Sequence, residues 1–294
     1  MTSICVVVVS YNSREQLPAC VEGLAGRSGI EVVVVDNAST DGSLAAIASL
    51  PVRGLQLDEN GGFAHWCNAG WRIGRGEYVL FLNPDATIPE AALRRLASVL
   101  DAEPNVAAVA PRILDSTGEL DFSQRRFPRL RSTYAQALFL HRLFPRALWA
   151  DEMVHRVEDY ERPGSPEWVS GACMLVRRRA LEELGGLDEG FFLYCEDTDI
   201  CRRLWDAGHE VRFEPSAIAV HEGGASAPRP SLIPVLVSSR VRYASKHRSR
   251  PAALLERIGI ALGAVTHSVV SSGGRAARAG HLRSIRQAAQ PART

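Results

Sequence analysis

The strongest candidate for chemistry is the acidic group Glu196-Asp197-Thr198-Asp199, placed directly behind Phe191-Phe192-Leu193-Tyr194-Cys195. Aromatic walls strip water from a carboxylate and lift its pKa toward the range of a general base. Acids in the first turn of a helix also complement its dipole, at about 0.3–1 kcal/mol each, so capping is the plainer use of the same residues. Capping needs one or two acids rather than a cluster behind aromatic rings, and perturbed carboxylates gather at sites. A second carboxylate, Asp85, closes Asn83-Pro84-Asp85 after the apolar run Tyr78–Leu82. One carboxylate plus a diphosphate is a common seat for Mg²⁺ or Mn²⁺, because hard cations take oxygen ligands and share them with substrate phosphates. The alternative is an Asx-Pro turn in which Asp85 is structural. A third, Asp36, opens Asp-Asn-Ala-Ser-Thr-Asp-Gly-Ser; it can accept a hydrogen bond from a base N–H or a ribose hydroxyl, or merely begin a polar turn capped by Asp41 or Ser43.

Two further segments suit a ligand. Asn60-Gly61-Gly62, with Asn68 and Gly70 further on, places two glycines where backbone N–H groups can approach an anion ahead of a helix. It is neither a Walker loop nor GxGxxG, and alone it also reads as a tight turn. His221 precedes Glu222-Gly223-Gly224 and is either a metal ligand or a structural histidine.

These residues need a frame that brings them together. The first 110 residues alternate β-branched runs (Ile4–Val9, Glu31–Val35, Val52–Leu57, Tyr78–Leu82, Val106–Ala110) with helical stretches (Arg14–Ala25, Ser43–Ser49, Ala64–Ile73, Pro89–Ala102). Unbroken Val runs suit strands covered on both faces, and the alternation predicts βαβ crossovers in a doubly wound α/β sheet. Ligands of such sheets bind at the carboxyl ends of the strands. Those ends are Ser10-Tyr11-Asn12, Asp36–Ser43, Asp58–Phe63 and Asn83–Thr87, where the polar residues cluster. Residues 125–165, rich in Arg, Leu and aromatics, read as a partly helical insertion. Glu167–Arg177, His209–Glu214 and Ala217–His221 read as strands, and Asp197–Ala207 as a helix stopped by Gly208. Domain boundaries are expected at 1–228 for the α/β domain and 229–294 for two or three basic helices.

Composition narrows the function classes. Over 294 residues, 46% hydrophobic and 23% charged side chains exclude a disordered or fibrous chain. Net charge is +1, so there is no global attraction to nucleic acid, yet from Arg240 onward eleven basic residues face Glu256 as the sole acid. That asymmetry points to a polyanionic surface, membrane headgroups or nucleic acid. The six cysteines form no C-x-x-C pair and read as reduced, buried thiols of a cytosolic protein. There is no secretory signal ahead of Ile4–Val9, and Ile258–Val270, the nearest approach to a spanning run, is interrupted by Thr266, His267 and Ser268.

Taken in order, VVVVSYN, VVVVDNASTDGS, ENGGFAHWCNAG, YVLFLNPDA, WVSGACMLVRR, GGLDEGFFLYCEDTDICRRLWDAGHEVRFEP and AVHEGG resemble the family 2 glycosyltransferases, the inverting nucleotide-sugar-dependent enzymes of GT-A fold. The resemblance runs from Ile4 to about Ser226; GLDEGFFLYCEDTDICRR and GACMLVRR look most like bacterial rhamnosyltransferases of cell-surface polysaccharide synthesis. It implies a mixed, mostly parallel sheet with flanking helices and a basic C-terminal helical extension. It implies Asp36 on the base, uracil or thymine, with Asn60, Gly61 and Gly62 shaping the ribose side and Ser10, Tyr11, Asn12, Asn68 and Asn83 completing the nucleotide-sugar pocket. Asp85 matches the last residue of a D-x-D motif and should hold the divalent metal, Mg²⁺ or Mn²⁺. Asn83 stands where that motif has its first Asp, leaving Asp85 its only anionic ligand, with His221 as second ligand. Asp197 matches the catalytic base, with Glu196 as fallback; Gly171 and Trp168 belong to the acceptor side.

The implied donor is a nucleotide-diphosphate sugar, dTDP-L-rhamnose or alternatively a UDP-hexose or galactofuranose donor. The acceptor is a saccharide hydroxyl, free or polyprenyl-linked. A single inverting displacement needs no enzyme nucleophile, in line with the lack of a Ser-His-Asp or Cys-His arrangement. The basic tail (Arg240, Arg242, Lys246, Arg248, Arg250, then apolar Leu254–Val270, then Arg275, Arg278, Arg283, Arg286) then suits an interfacial anchor at the inner face of the cell membrane, a homodimer contact being its other use. A nucleotidyltransferase would need a basic phosphate loop where only Arg14 stands. A nucleic-acid binder gives no reason for the settings of Asp85 and Asp197; a non-catalytic nucleotide-sugar sensor stays open as an alternative, to be recognised by an Asp197→Asn variant that keeps both binding and cellular role.

Overall fold

The computed structural model describes residues 2–144, 147–223, 229–270 and 274–289. β1 (Ile4–Ser10), α1 (Leu17–Glu22), β2 (Ile30–Asp36), α2 (Ser43–Ala46), β3 (Arg53–Gln56), α3 (Phe63–Ile73) and β4 (Tyr78–Leu82) alternate as the hydrophobic pattern predicts. β5 (Ala86–Thr87), α4 (Glu90–Ala102), β6 (Val106–Leu114), β7 (Leu120–Asp121) and β8 (Gln124–Arg125) follow. Next come α5 (Leu130–Ala137), α6 (Leu140–Leu143) and a 3₁₀ turn at Val157–Tyr160. β9 (Trp168–Val169), β10 (Cys173–Arg177), α7 (Arg178–Leu184), α8 (Glu196–Asp206) and β11 (Glu210–His221) lead to three helices, α9 (Arg229–His247), α10 (Arg250–Val270) and α11 (Gly274–Ala289). The chain divides into two compact units: residues 1–125, 156–189 and 196–226 in one, and residues 126–155, 190–195 and 227–294 in the other. The expected division at 228 lies outside the described residues.

The first unit is built on a sheet of order β3-β2-β1-β4-β10-β6-β11-β5, with β7 paired to β6. β3, β2, β1 and β4 run parallel, as do β6 and β11; β10 lies antiparallel between β4 and β6. The sheet is therefore mixed and mostly parallel in its first half. Every residue of β1 and β4 is buried, which explains their unbroken apolar sequence. The order reverses between β1 and β4, the topological switch point, so the crevice for a ligand opens beyond Ser10 and Leu82.

Two elements differ from the pattern-based reading. Glu167–Arg177 is not one strand: Ser170 and Gly171 interrupt it, leaving β9 on β8 and β10 in the main sheet. His209–Glu214 and Ala217–His221 are not two strands but one, β11, whose register slips between Glu214 and Ile218. At that bulge the buried Glu214 accepts from Ser216 N–H (3.0 Å) and Oγ (2.6 Å) and pairs with Arg95 (2.9 Å). The proline and serine of Glu-Pro-Ser there are bulge residues that read as a turn. All six cysteines are buried and none is disulfide-linked.

The second unit is helical. Val241, Ile260 and Ala288 form one apolar cluster; Phe191, Cys195 and Tyr243 form another. Two buried ion pairs bind its helices: Arg240 with Glu152 (2.5 Å), and Arg248 with Glu256 (3.3 Å), whose carboxylate also accepts from Thr133 Oγ1. Arg242 and Lys246 lie 5.4 and 5.9 Å from the Phe191 ring centroid. Of the basic residues expected to serve the interfacial anchor, Arg240 and Arg248 instead neutralise internal acids, because a buried carboxylate needs a cation beside it.

Candidate active site

β1 and β2 pair in parallel register up to Ser10↔Asp36, which places both at the sheet's carboxyl edge. Both are buried, and each keeps a polar atom without a hydrogen-bond partner among the described residues, Ser10 Oγ and Asp36 Oδ1. Asp36 Oδ2 accepts Ser39 N–H at 3.1 Å. Buried polar groups are normally satisfied, so two adjacent orphans at a strand edge mark where an external donor sits. Asn12, at φ 51°, bridges the two loops, with its N–H on Ser39 Oγ and its Oδ1 accepting Thr40 N–H, both at 2.9 Å. Tyr11 beside it is 37% exposed, open to a planar ligand.

The Asn60-Gly61-Gly62 loop is tied back to β2 by a residue that spacing alone did not single out. Asn37 donates to Asn60 Oδ1 (2.9 Å) and accepts Gly61 N–H (3.2 Å), while Asn60 Oδ1 also takes Gly62 N–H (3.1 Å). Gly62 has φ 88°, which favours glycine there. Asn60 thus shapes the loop. Asn68 lies apart from the group: fully buried on α3, it donates to Leu187 O and Glu189 Oε1 (both 2.8 Å) and accepts Trp71 Nε1–H and Leu187 N–H (both 2.9 Å). Its amide is spent on the protein itself.

Asp85 is placed by two strands. β4 ends at Leu82, the Asn83–Asp85 turn closes through Ala86 N–H to Asn83 O (3.0 Å), and β5 pairs Ala86 with His221. That register sets His221 Nε2 3.2 Å from Asp85 Oδ1 and 3.3 Å from the Asn83 carboxamide, with Nδ1 facing Asp121 Oδ2 at 3.9 Å. Burial pulls the His221 pKa down, but Asp121 and Asp85 outweigh it and raise it to about 9. Among the described residues no three His, Cys, Asp or Glu side chains converge into a complete metal cage. Asp85 supplies a carboxylate for a divalent cation that takes its remaining oxygens from a diphosphate and water, and His221 can join it as a ligand once the cation displaces the proton shared with Asp85.

Asp197 is reached through one short segment. Gly171 N–H donates to Asp197 Oδ2 (3.0 Å), and the next residue, Ala172, accepts Asn83 N–H on its carbonyl (2.9 Å). The Asp197 carboxylate and the main chain of the Asn83–Asp85 turn are therefore held by the same short segment. A Cβ on Gly171 would stand 3.2 Å from Asp197 Cβ, so glycine permits this approach. Thr198 N–H (2.7 Å) and Oγ1 (3.3 Å) donate to Asp197 Oδ1. Burial raises the Asp197 pKa, offset by the Gly171 and Thr198 N–H groups and the Arg125 charge. Burial and the Asp197 charge push Glu196 well above the usual carboxylate range, and its Oε2 has no partner among the described residues. Tyr194 and Cys195 enter α8 at φ 71° and 66°, a conformation costly for non-glycine residues and characteristic of functional loops. Asp199, by contrast, is spent on Arg203 (2.7 Å).

Trp168 pairs with Arg125 across β9 and β8, and the guanidinium lies 5.5 Å from its ring centroid. Arg125 and Asp121 bear on Asp197 and His221, yet neither was flagged: an isolated Arg or Asp in a polar stretch carries no signal until pairing is known. The structure gathers Ser10, Tyr11, Asn12, Asp36, Asn60, Gly61 and Gly62 at one strand edge, and Asn83, Asp85, His221, Gly171, Trp168, Glu196 and Asp197 around the 168–172 segment. At the opposite end of the sheet a second cleft is lined by Arg177 and Arg178. Their guanidinium groups donate to main-chain carbonyls of Leu100 and of Trp71 and Gly74, so they brace the sheet.

A mixed sheet with a carboxylate-lined crevice at its switch point is the architecture of GT-A glycosyltransferases. Residues 5–185 match the family model described as Glycosyl transferase family 2, and the chain belongs to that family and is a glycosyltransferase. It is 32% identical over 240 residues to the N-acetylglucosaminyl-diphospho-decaprenol L-rhamnosyltransferase of Mycobacterium tuberculosis, covering 76% of this chain and 77% of that one. It is 25% identical over 232 residues to rhamnosyltransferase WbbL of Escherichia coli K12, covering 74% and 83%. Among solved structures, the mannosyltransferase PcManGT of Pyrobaculum calidifontis, in complex with GDP-Man and Mn²⁺, superposes with a TM-score of 0.59 at 19% identity, covering 98% of this chain and 86% of that one. That likeness shows the GT-A fold.

Proposed function

We propose that this glycosyltransferase moves L-rhamnose from dTDP-L-rhamnose to a hydroxyl of a lipid-linked saccharide during cell-surface polysaccharide synthesis, with inversion at the anomeric carbon. The transferase domain is residues 1–228. The observation that carries the reading is the Gly171-Ala172 segment, hydrogen-bonded through the Gly171 N–H to the Asp197 carboxylate and through the Ala172 carbonyl to the Asn83 N–H of the Asn83–Asp85 turn. The rhamnosyltransferase names of two relatives support the donor sugar and the acceptor.

The roles follow from the chemistry of each group. Asp36 Oδ1, unpartnered and buried, accepts the N3–H of a thymine or uracil, and Ser10 Oγ lies beside it for the same ring. The glycine loop, its Gly61 and Gly62 N–H groups held by Asn37 and Asn60, shapes the ribose side of the pocket by bringing side-chain-free backbone close to the nucleotide. Asp85 and His221 would hold a divalent cation, Mg²⁺ or Mn²⁺, which supplies charge neutralisation for the departing nucleoside diphosphate. The Mn²⁺ in structural neighbours supports a divalent metal. Asp197 accepts the proton of the attacking hydroxyl; burial keeps it basic, while the Gly171 and Thr198 N–H groups aim its lone pairs. Trp168, stacked with Arg125, offers an aromatic platform for the acceptor sugar. The protein acts at the cytoplasmic leaflet as a peripheral membrane enzyme.

The test is a donor screen. Purified protein is melted with dTDP-, UDP- and GDP-sugars, with Mn²⁺, Mg²⁺ or EDTA, and turnover is measured on a polyprenyl-diphosphate-linked GlcNAc acceptor. Metal-dependent protection by dTDP-L-rhamnose and rhamnosyl transfer are expected. Preferential protection by a UDP-hexose or UDP-galactofuranose replaces the donor; no metal-dependent protection by any of them overturns the reading.

A further inference from the structure

The helical unit carries large apolar side chains that nothing covers. Leu138, Leu143, Phe144, Leu148 and Trp149, all from the stretch after α5, are 39–71% exposed. Along α10, Leu254, Ile258, Val265 and Val269 are 45–71% exposed, and their spacing puts them on one helix face. The two groups adjoin. Where α5 ends, Ala137 O accepts Thr266 Oγ1–H of α10 (2.6 Å), Gly263 lies against Ala137, and the Phe139 ring stacks on His267 at 4.5 Å. Nine half-exposed side chains of this size amount to several hundred Å² of apolar surface, more than scattered surface residues leave.

The charge of the neighbouring α11 is of one sign. α11 contains no acid, and Arg275, Arg278, Arg283 and Arg286 are exposed without an acidic partner among the described residues. Leu282, 57% exposed, sits among them. An uncovered apolar face bordered by unpaired arginines matches an anionic lipid surface, where acyl chains take the apolar side chains and headgroups take the guanidinium groups. α10 is long and apolar enough to cross a membrane. Its opposite face rules that out: Glu256 is buried in an ion pair with Arg248, and Gly259 packs on Thr133 and Tyr134. A spanning α10 would carry this charged network into hydrocarbon, where ionised groups are costly. The helix therefore lies in the membrane plane.

We infer that Leu138, Leu143, Phe144, Leu148 and Trp149, with the Leu254–Val269 face of α10, form one in-plane, lipid-facing surface that seats in an anionic bilayer, with the α11 arginines on its headgroups. The inference deepens the peripheral-membrane part of the proposed function and rests on it. It adds the exposed side chains after α5 to the basic and apolar tail expected from the sequence, and takes Arg240 and Arg248 out of it, since they are already neutralised internally.

The experiment is flotation of the full chain with phosphatidylcholine vesicles, with and without phosphatidylglycerol, at low and high salt. Three variants are compared: L143D with F144D, V265D with V269D, and R275Q with R278Q, R283Q and R286Q. These side chains are exposed, and melting temperature checks that each variant folds. Wild type should float with phosphatidylglycerol vesicles, and each apolar pair should lower partitioning at least about tenfold, as expected for losing two buried side chains. The arginine variant should lose the salt-sensitive part of binding. Apolar variants that float like wild type overturn the inference and leave charge alone as the anchor. Wild type that ignores vesicles but runs as a dimer, with the apolar variants monomeric, overturns it in favour of a second copy. Nucleotide protection of the same preparations tests the transferase reading separately, so failure of one does not mimic failure of the other.

Discussion

The carboxyl edge of β1 and β2 and the inner face of α3 are both buried and polar, yet they treat their hydrogen-bonding groups in opposite ways. Ser10 and Asp36 each retain an atom with no partner among the described residues, whereas Asn68 meets Trp71, Leu187 and Glu189 with its whole amide. A protein tolerates an orphaned buried acceptor where a ligand completes it, and saturates one where the fold depends on it. For these residues, a spare acceptor at a strand's carboxyl edge marks a binding role and a saturated amide inside the fold marks a bracing one.

Asp197 is the most demanding test of that separation. Asp197→Asn should lower kcat by about 10²- to 10⁴-fold, the usual span of general-base catalysis, while nucleotide protection persists. Because burial raises its pKa, ionising Asp197 costs stability at neutral pH. The amide variant should melt no lower than wild type, and a melt well below it would make Asp197 a bracing residue. Asn68→Ala should behave in the reverse manner, losing about 2–3 kcal/mol in chemical denaturation because Trp71 and Leu187 are left with unpaired buried groups. A stable Asn68→Ala with weakened nucleotide binding would collapse the contrast.

Asp36→Asn should weaken dTDP binding about tenfold by calorimetry, through loss of the charge-assisted bond, with little change in stability. The pH profile sharpens the same point. Asp197 must be unprotonated to act, so kcat should rise with pH through its raised pKa and then level off. Arg125→Gln removes a charge that lowers that pKa, so the rising limb should move to higher pH. An unmoved limb would detach Arg125 from the base. The smallest effect belongs to Asn12→Ala, which releases Thr40 N–H and should cost about 1 kcal/mol of stability.

The strand–helix alternation of the first 110 residues, the sheet's parallel half, and the strand-end positions of Asp36, Asp85 and His221 followed from period and burial. Chain order fixes which side of a sheet the loops leave from. Motif order carried the family. The same spacing did not distinguish Asn68 from Asn60, or Arg240 from Arg275, since a side chain's type does not say who faces it. His221 meets Asp85 only because β11 slips register and pairs with β5, and Asp197 reaches the segment that holds the Asn83 turn only because Gly171 leaves room. Sequence by itself set which groups can accept a proton, a cation or a base, because that is covalent chemistry. Which of them were left unsatisfied was settled by long-range pairing and burial, which no local pattern encodes.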